Sequence, residues 1–238
     1  MTLQQEVRPI HLKPAADLAE RVLLPGDPHR ALAVAQHLLD GPKMFNHHRG
    51  LWGYTGAAAD GEPLTIQATG MGGPSAAIVV EELIALGARR LVRIGSCGAL
   101  VDDLELGDLV AAETVLPADG ASAALGADGS LACDPVLLEP MVAAGARPVT
   151  VVSSDLFYDP RAGEVAGWVA RGASVVEMEA AAILQVAELR GVAAGCVLAV
   201  ADVPGSGGTR RVDAERFQEI GLSVGEAGYA AVAGARTR

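Results

Sequence analysis

One arginine lies inside an apolar run of the chain, in the stretch Leu91–Ala99, which reads LVRIGSCGA. An unpaired guanidinium is costly to bury, so either an anionic ligand or a buried carboxylate must accompany Arg93. Gly95 and Gly98 would let backbone N–H groups approach an anion, and Ser96 adds a hydroxyl donor. The stretch predicts a strand that ends in an anion-binding loop, with a structural ion pair as the alternative.

Two other segments place an arginine beside a polar turn. Arg30 follows the apolar run Val22–Leu24 and a Pro-Gly-Asp-Pro turn that contains Gly26, and Arg49 lies in the sequence Asn-His-His-Arg-Gly. The planar fork of donors on a guanidinium suits phosphate oxygens. Together with Arg93, these arginines predict an oxyanion pocket assembled from distant parts of the chain.

Three carboxylates also follow apolar runs. Glu177 and Glu179 flank Met178 ahead of an alanine-rich stretch, where acids usually complement a helix dipole. Alternatively, Glu179 accepts two hydrogen bonds from a vicinal diol such as that of ribose, and Met178 offers apolar surface to the ring. Asp202 ends another apolar run, either as a turn or cap residue or, in a pocket that excludes water, as a general acid.

The elements that would position these residues alternate along the chain. Continuous apolar runs predict strands covered on both faces at Val22–Leu24, Leu64–Ala68, Arg90–Ile94, Leu109–Ala112, Val149–Val152 and Ala194–Val200. Helical patterns occupy Pro28–Leu39, Pro74–Gly87, Asp134–Ala144, Glu179–Arg190 and Asp213 to about Ala233. This order predicts a single α/β domain over residues 1–238, a three-layer α/β/α sandwich with a mixed, mainly parallel central sheet. The small-residue stretch Asp119–Ser130 is predicted to be a surface loop.

Composition narrows the classes of partner. The 238 residues carry a formal net charge of −11, half of them are hydrophobic, and no cluster of five basic residues occurs, which argues against nucleic acid. The three widely spaced cysteines lack any C-x-x-C pair, as expected for reduced thiols rather than for a disulfide framework or a zinc site. Met1–Lys13 is polar, and the apolar runs are too short to span a bilayer. The sequence therefore predicts a cytoplasmic protein without a membrane partner.

Seven segments, in order, resemble the nucleoside phosphorylase family, which includes bacterial hexameric purine nucleoside phosphorylases and uridine phosphorylases. They cover about residue 10 to residue 220 and read LLPGDPHRA, NHHRGLWGYTG, GMGGPSAAIVVEEL, RIGSCGA, SSDLFY, VVEMEAAAI and DAER. The resemblance implies the α/β fold predicted above and the phosphorolysis of nucleosides by inorganic phosphate.

The resemblance also implies which residues form the site. Those assigned to phosphate are Gly26, Arg30, Arg93 and Ser96, with Arg49 of a partner subunit. Those assigned to ribose are Met178 and Glu179, with His11 of a partner subunit. Those assigned to the base are Cys97, Gly98, Phe157, Val176 and Glu177. Asp202 would protonate the purine ring and Arg216 would support that transfer, with Arg210 and Arg211 as alternatives because the loop Val203–Arg211 departs from the family pattern.

The choice of substrate follows from the same comparison. The SSDLFY segment and the Asp202–Arg216 pair resemble the purine branch, and the residues after Tyr158 lack the glutamine and arginine with which uridine enzymes grip a pyrimidine. A uridine phosphorylase is the alternative, followed by a nucleoside hydrolase and a non-catalytic nucleoside-binding protein. No cofactor or metal is implied, and Gly50 stands where uridine enzymes can carry a glutamate for a monovalent cation. Sites completed by His11 and Arg49 imply a homo-oligomer, a dimer-based hexamer.

Overall fold

The computed structural model describes residues 7–161, 163–205 and 208–234. Part of the polar amino-terminal stretch, Met1–Glu6, and two residues of the glycine-rich loop after Asp202, Ser206 and Gly207, lie outside the described residues.

Strands and helices alternate through most of the described chain. The strands are β1 (Arg21–Leu24), β2 (Leu39–Asn46), β3 (Gly53–Ala58), β4 (Pro63–Gln67), β5 (Arg90–Ala99), β6 (Leu109–Ala118), β7 (Leu131–Ala132), β8 (Arg147–Ser154), β9 (Ala173–Glu177), β10 (Ala193–Val203) and β11 (Arg210–Arg211). The helices are α1 (Pro28–Leu38), α2 (Gly73–Leu86), α3 (Gly120–Ala124), α4 (Pro135–Ala143), α5 (Glu164–Ala170), α6 (Ala180–Arg190) and α7 (Ala214–Gly234).

Helices cover both faces of a mixed sheet, which confirms the predicted α/β class. The strand order is β11-β10-β6-β8-β9-β5-β1-β4-β3-β2. Helices α1, α4 and α7 share one hydrophobic core with the sheet, and α2 and α6 share the core on the other face. Small residues bring these layers close, since a Cβ on Gly228 of α7 would lie only 2.4 Å from Ile94 of β5. Helix α7 therefore packs directly on the strand that carries Arg93.

Strand β5 changes partners in its middle. It pairs parallel with β1 as far as Arg93 and antiparallel with β9 from Gly98 onward, while β10 runs parallel along its other edge. Because β10 also pairs with β6, the strands β5, β10, β6, β8 and β9 close into a ring. The residues of β5 between Arg93 and Gly98 thus have no β1 or β9 partner on one edge. Ligands of α/β proteins bind where neighbouring strands part in this way.

The residues after Ile94 form a strand and not the predicted loop. Strand β5 continues to Ala99, with Gly95 opposite Leu198 of β10. A Cβ on Gly95 would lie 2.8 Å from Nη2 of Arg93, so the glycine makes room for the guanidinium instead of bending the chain. Residues 120–124 of the predicted loop Asp119–Ser130 form helix α3, capped by the carboxylate of Asp119.

Candidate active site

A cavity of about 830 Å³ opens at the carboxyl ends of the strands around this change of partners. It gathers residues from widely separated parts of the sequence. The predicted site residues that line it are Gly26, Arg30, Arg93, Ser96, Cys97, Gly98, Phe157, Val176, Glu177, Met178, Glu179 and Asp202. His11, Arg49 and Arg216 are absent from this lining, and Arg211 and Phe217 are present in it.

Arg93 has both an ion pair within the fold and a free donor. Its Nε lies 2.7 Å from Oε2 of Glu177, and its Nη2 lies 2.5 Å from Oε2 of Glu179. Its Nη1 is buried without a hydrogen-bond partner in the described protein, and a Cβ on Gly26 would lie 4.0 Å from it. Burial disfavours the cation, but the carboxylates of Glu179 and Glu177 outweigh this cost and raise the pKa of Arg93. The arginine stays charged, and the two unused N–H groups of its Nη1 lie near the turn at Gly26.

The carboxylate of Glu177 is engaged by hydrogen bonds within the protein. Its carboxylate accepts hydrogen bonds from Arg93, from the Ser153 hydroxyl and from the backbone N–H groups of Glu179 and Ala180. The side chain is fully buried. A carboxylate that accepts this many bonds caps the start of α6 and fixes Arg93. The structure therefore favours the structural alternative for the Glu177 carboxylate, beneath the part of the cavity assigned to the base.

Glu179 keeps acceptor capacity toward the cavity. Oε1 accepts the backbone N–H of Gly72 at 2.6 Å, and Oε2 accepts Nη2 of Arg93. Each carboxylate oxygen has a further lone pair, and Met178 lines the cavity beside it. Burial raises the pKa of Glu179, and Arg93 opposes that rise. The bond to Gly72 also fixes the loop whose Gly70 and Met71 line the same cavity.

Arg30 is a second buried cation in the cavity. It lies in the first turn of α1, which begins at Pro28 under the cap of Asp27. No hydrogen bond or ion pair engages its guanidinium among the described residues; the centre of the group lies 5.0 Å from the ring centroid of Phe217. Burial and the charge of Arg93 lower the pKa of Arg30 to about 10. Two guanidinium groups with unused donors in one cavity are an arrangement that an oxyanion would stabilise.

Asp202 is bonded to Arg211 and not to Arg216. A bulge after Val200 sets the direction of Asp202, and β11 then pairs back on β10 with Arg211 opposite Asp202. Nε of Arg211 donates to Oδ1 of Asp202. Arg216 lies beyond this hairpin in the first turn of α7, where its Nη1 is 3.4 Å from Oε2 of Glu219. The hairpin pairs Asp202 directly with Arg211, so the residue next to the acid is Arg211, one of the two alternatives to Arg216.

Arg211 also closes over the residue predicted to stack on the base. Its guanidinium lies 5.4 Å from the ring centroid of Phe157, whose side chain is largely exposed at the cavity mouth. The bond to Asp202 raises the pKa of Arg211. One arginine therefore joins the candidate acid to the candidate base platform.

His11 and Arg49 lie together on a surface outside the cavity. Glu82 of α2 holds His11: Oε1 is 2.6 Å from Nδ1 of the ring, and the carboxylate also accepts the backbone N–H groups of residues 10–12. Arg49 is exposed in a short turn with a left-handed backbone, φ 60°. Burial lowers the pKa of His48, and the charges of Lys13, Arg49 and His11 lower it further. These groups form a basic patch on an acidic protein.

Two side chains that contact the site residues, one aromatic and one with a hydroxyl group, were not predicted from the sequence. Phe217 supports Arg30, and Ser153 donates to Glu177 and accepts from Ala181 N–H. Phe217 directly follows the DAER segment, and Ser153 begins the SSDLFY segment. Ser153 lies inside a segment singled out from the sequence and Phe217 lies next to one, but the partner of each is distant in sequence.

Other features of the described residues bear on the class of protein. All three cysteines are buried and free. Within residues 7–161, 163–205 and 208–234, no helix has the length and apolar character needed to cross a bilayer. In the same ranges, no cluster of three or more histidine, cysteine or acidic side chains is arranged to hold a metal ion.

The chain is similar to known proteins over most of its length. A model of the phosphorylase superfamily matches residues 20–234, a range that includes every cavity residue named above. The DeoD-type purine nucleoside phosphorylase of Caldanaerobacter subterraneus subsp. tengcongensis is 38% identical over 198 residues, 78% of this chain and 84% of that protein. That of Jannaschia sp. is 38% identical over 203 residues, 81% and 86%. That of Oceanobacillus iheyensis is 36% identical over 196 residues, 78% and 83%.

Proposed function

The chain belongs to the phosphorylase superfamily, and on that premise we propose that it cleaves purine ribonucleosides and deoxyribonucleosides with inorganic phosphate. The products are the free base and (deoxy)ribose 1-phosphate. The observation that carries the proposal is the convergence of Arg30 and Arg93 on the Gly26 turn, each with unused donors, in the cavity that also holds Glu179 and Asp202. The purine-specific names of the relatives support the choice of base.

Phosphate binds between the two arginines in this scheme. Nη1 of Arg93 and the guanidinium of Arg30 donate to its oxygens, and Ser96 and the backbone at Gly26 complete the site. Arg93 is held by two carboxylates and cannot turn away, so its free donor is oriented before phosphate arrives. Orientation of this kind lowers the entropic cost of bringing the nucleophile to the sugar.

Glu179 then sets the sugar above the phosphate. The remaining lone pairs of its carboxylate accept the ribose hydroxyls, and Met178 contacts the ring. A phosphate oxygen forms a bond to the anomeric carbon as the bond from that carbon to the base nitrogen breaks, and the electron pair leaves with the base. The phosphate anion stabilises the positive charge that develops on the sugar.

The base leaves against Phe157 and Val176, beside the Cys97–Gly98 backbone. Asp202 donates a proton to the purine ring, which neutralises the departing anion. Nε of Arg211 occupies Oδ1 of Asp202, so this contact has to loosen when that oxygen turns to the base. None of these steps draws on a cofactor; phosphate is the second substrate.

A substrate assay tests the proposal. Inosine, adenosine and uridine are each incubated with the protein in phosphate and, in parallel, in chloride, and free base and sugar 1-phosphate are measured. We expect a purine nucleoside to release base only with phosphate, one sugar phosphate per base. Turnover of uridine alone would refute the purine assignment, and equal release in chloride would refute phosphorolysis.

We also propose that each site is completed by a second subunit. His11 and Arg49 lie outside the cavity of their own chain, on one basic patch, and His11 is already oriented by Glu82. In a two-fold dimer the same patch of each chain would face the cavity of the other, with Arg49 reaching phosphate and His11 the sugar. We propose a trimer of such dimers, one domain per chain, in the cytoplasm.

Mixed oligomers test the shared site. Arg30→Ala removes a residue of the subunit's own cavity, and Arg49→Ala removes one donated to the partner. We expect each variant alone to lose most activity. Random mixing of the two during refolding should restore roughly a quarter of the sites, because only mixed dimers contain one intact cavity. Absence of recovery, or active monomers in sedimentation, would contradict the arrangement.

A further inference from the structure

Arg30 is held in place by an aromatic ring instead of an anion. Its guanidinium centre lies 5.0 Å from the centroid of Phe217 on α7, and the side chain is 9% exposed. One helical turn later, Gly221 faces the same arginine, since a Cβ there would lie in ordinary contact, 3.5 Å from Nε and 3.7 Å from Cγ. Positions four residues apart share one helix face. One face of helix α7 therefore packs against Arg30, and the aromatic ring of Phe217 is its contact with the guanidinium.

A second arginine on the same helix gives a comparison within the molecule. The guanidinium centre of Arg21 lies 5.8 Å from the ring centroid of Tyr229, also on α7. Arg21, however, donates to both carboxylate oxygens of Asp60 at 2.6 Å and to the backbone carbonyls of Glu62 and Pro63. Its donors are used by the fold. Within the described part of the chain, no acceptor takes up the donors of Arg30.

A ring and a carboxylate differ in how they use the donors of a guanidinium. An aromatic face attracts a cation through its π electrons and takes up none of the guanidinium N–H donors. A ring can therefore stabilise a buried arginine while every donor stays available for a ligand. Restricting the side chain before binding also lowers the entropy lost when the ligand arrives. A carboxylate in the same place would compete with the ligand instead.

We propose that Phe217 is a positioning residue for Arg30, so that the carboxyl-terminal helix sets the affinity of the cavity for phosphate. The inference rests on the proposed function, because it takes phosphate as the anion that Arg30 binds. Phe217 lies at the cavity wall. Its effect on the reaction passes through the arginine, which touches the phosphate.

Replacement of Phe217 by leucine tests the inference. We expect the KM for phosphate and the Kd for phosphate measured by calorimetry to rise about threefold to thirtyfold, in line with the strength of a partly desolvated cation–π contact. The kcat at saturating phosphate and the KM for inosine should change less than twofold. Phe217→Tyr keeps the aromatic face and should keep most of the phosphate affinity.

Tyr229→Leu is the matched control, since it removes a ring of the same helix from an arginine that already has its anion. It should lower thermal stability and leave the phosphate KM unchanged. An unchanged phosphate Kd in Phe217→Leu, or an equal rise in both leucine variants, would overturn the positioning role while phosphorolysis by the unmodified protein still stood. If the unmodified protein neither binds phosphate nor needs it for turnover, the proposed function and this inference both fail.

Discussion

Arg93→Met is expected to reduce phosphate-dependent turnover more than any other single substitution and to destabilise the fold as well. The side chain has two separate tasks in the proposed mechanism, since Nη1 is free to bind phosphate while Nε and Nη2 neutralise Glu177 and Glu179. Loss of one phosphate-directed guanidinium should lower kcat/KM about a thousandfold, as for other groups that stabilise developing charge. Breaking a buried ion pair by removing one partner costs about 3–5 kcal/mol of folding free energy. Steady-state kinetics and urea denaturation measure the two effects.

A triple variant separates these effects. Adding Glu177→Gln and Glu179→Gln to Arg93→Met removes the uncompensated buried charges, so the free energy of unfolding should largely recover while turnover stays low. Arg190→Met is the matched control, because Nε of Arg190 forms a comparable 2.7 Å pair with Glu81 near the surface. It should change stability by less than about 1 kcal/mol and leave activity intact. Full phosphate-dependent turnover in Arg93→Met would disprove the phosphate assignment.

Asp202→Asn is expected to lower kcat for inosine by about 10²–10⁴ with little change in nucleoside binding. Asparagine keeps the shape of the side chain but cannot deliver the carboxyl proton. A purine nucleoside methylated at N7 carries a fixed positive charge on its base, so its departure needs no acid. The same variant should therefore retain most of its turnover of the N7-methylated substrate. Stopped-assay measurements of both substrates give the ratio.

Equal losses on the two substrates would mean that Asp202 does not act as an acid. The arginines beside it are compared in the same assay. Arg211 bonds Asp202 across the β10–β11 hairpin, whereas Arg216 lies near Glu219. Arg211→Gln should therefore alter the ratio between the two substrates more than Arg216→Gln does.

The sequence was most informative where a local pattern decides the structure. Proline and aspartate at the start of α1 and the left-handed glycine after α2, with φ 118°, set helix boundaries through backbone geometry alone. The apolar runs predicted the central strands for the same reason. The strand β2, by contrast, has four exposed residues among its eight, and its sequence lacks the continuous apolar character of the predicted strands. It forms because β3 pairs with it, which no local pattern reveals.

The candidate site shows the same limit. The presence of Arg93 in an apolar run predicted a buried guanidinium with a partner, and left open whether that partner is a ligand or a carboxylate. The structure gives a carboxylate pair and a free donor at once, an outcome set by three nitrogens that point in different directions. Arg211 and Phe217 act through a hairpin and a helix face whose placement depends on the whole sheet. No local sequence pattern indicates these two contacts.

The pairing of β5 is interrupted between β1 and β9, and the proposed reactants would fill this interruption. Main-chain groups between Arg93 and Gly98 that meet neither β1 nor β9 must be satisfied by solvent or by a ligand. At about 3.3 Å per residue, the five steps from Arg93 to Gly98 span about 16 Å along the strand, enough for a sugar with its phosphate. In the proposed function, the substrates would stand in for a missing segment of sheet. Uncharged peptide dipoles at this edge would attract the proposed phosphate despite the net charge of −11 on the molecule.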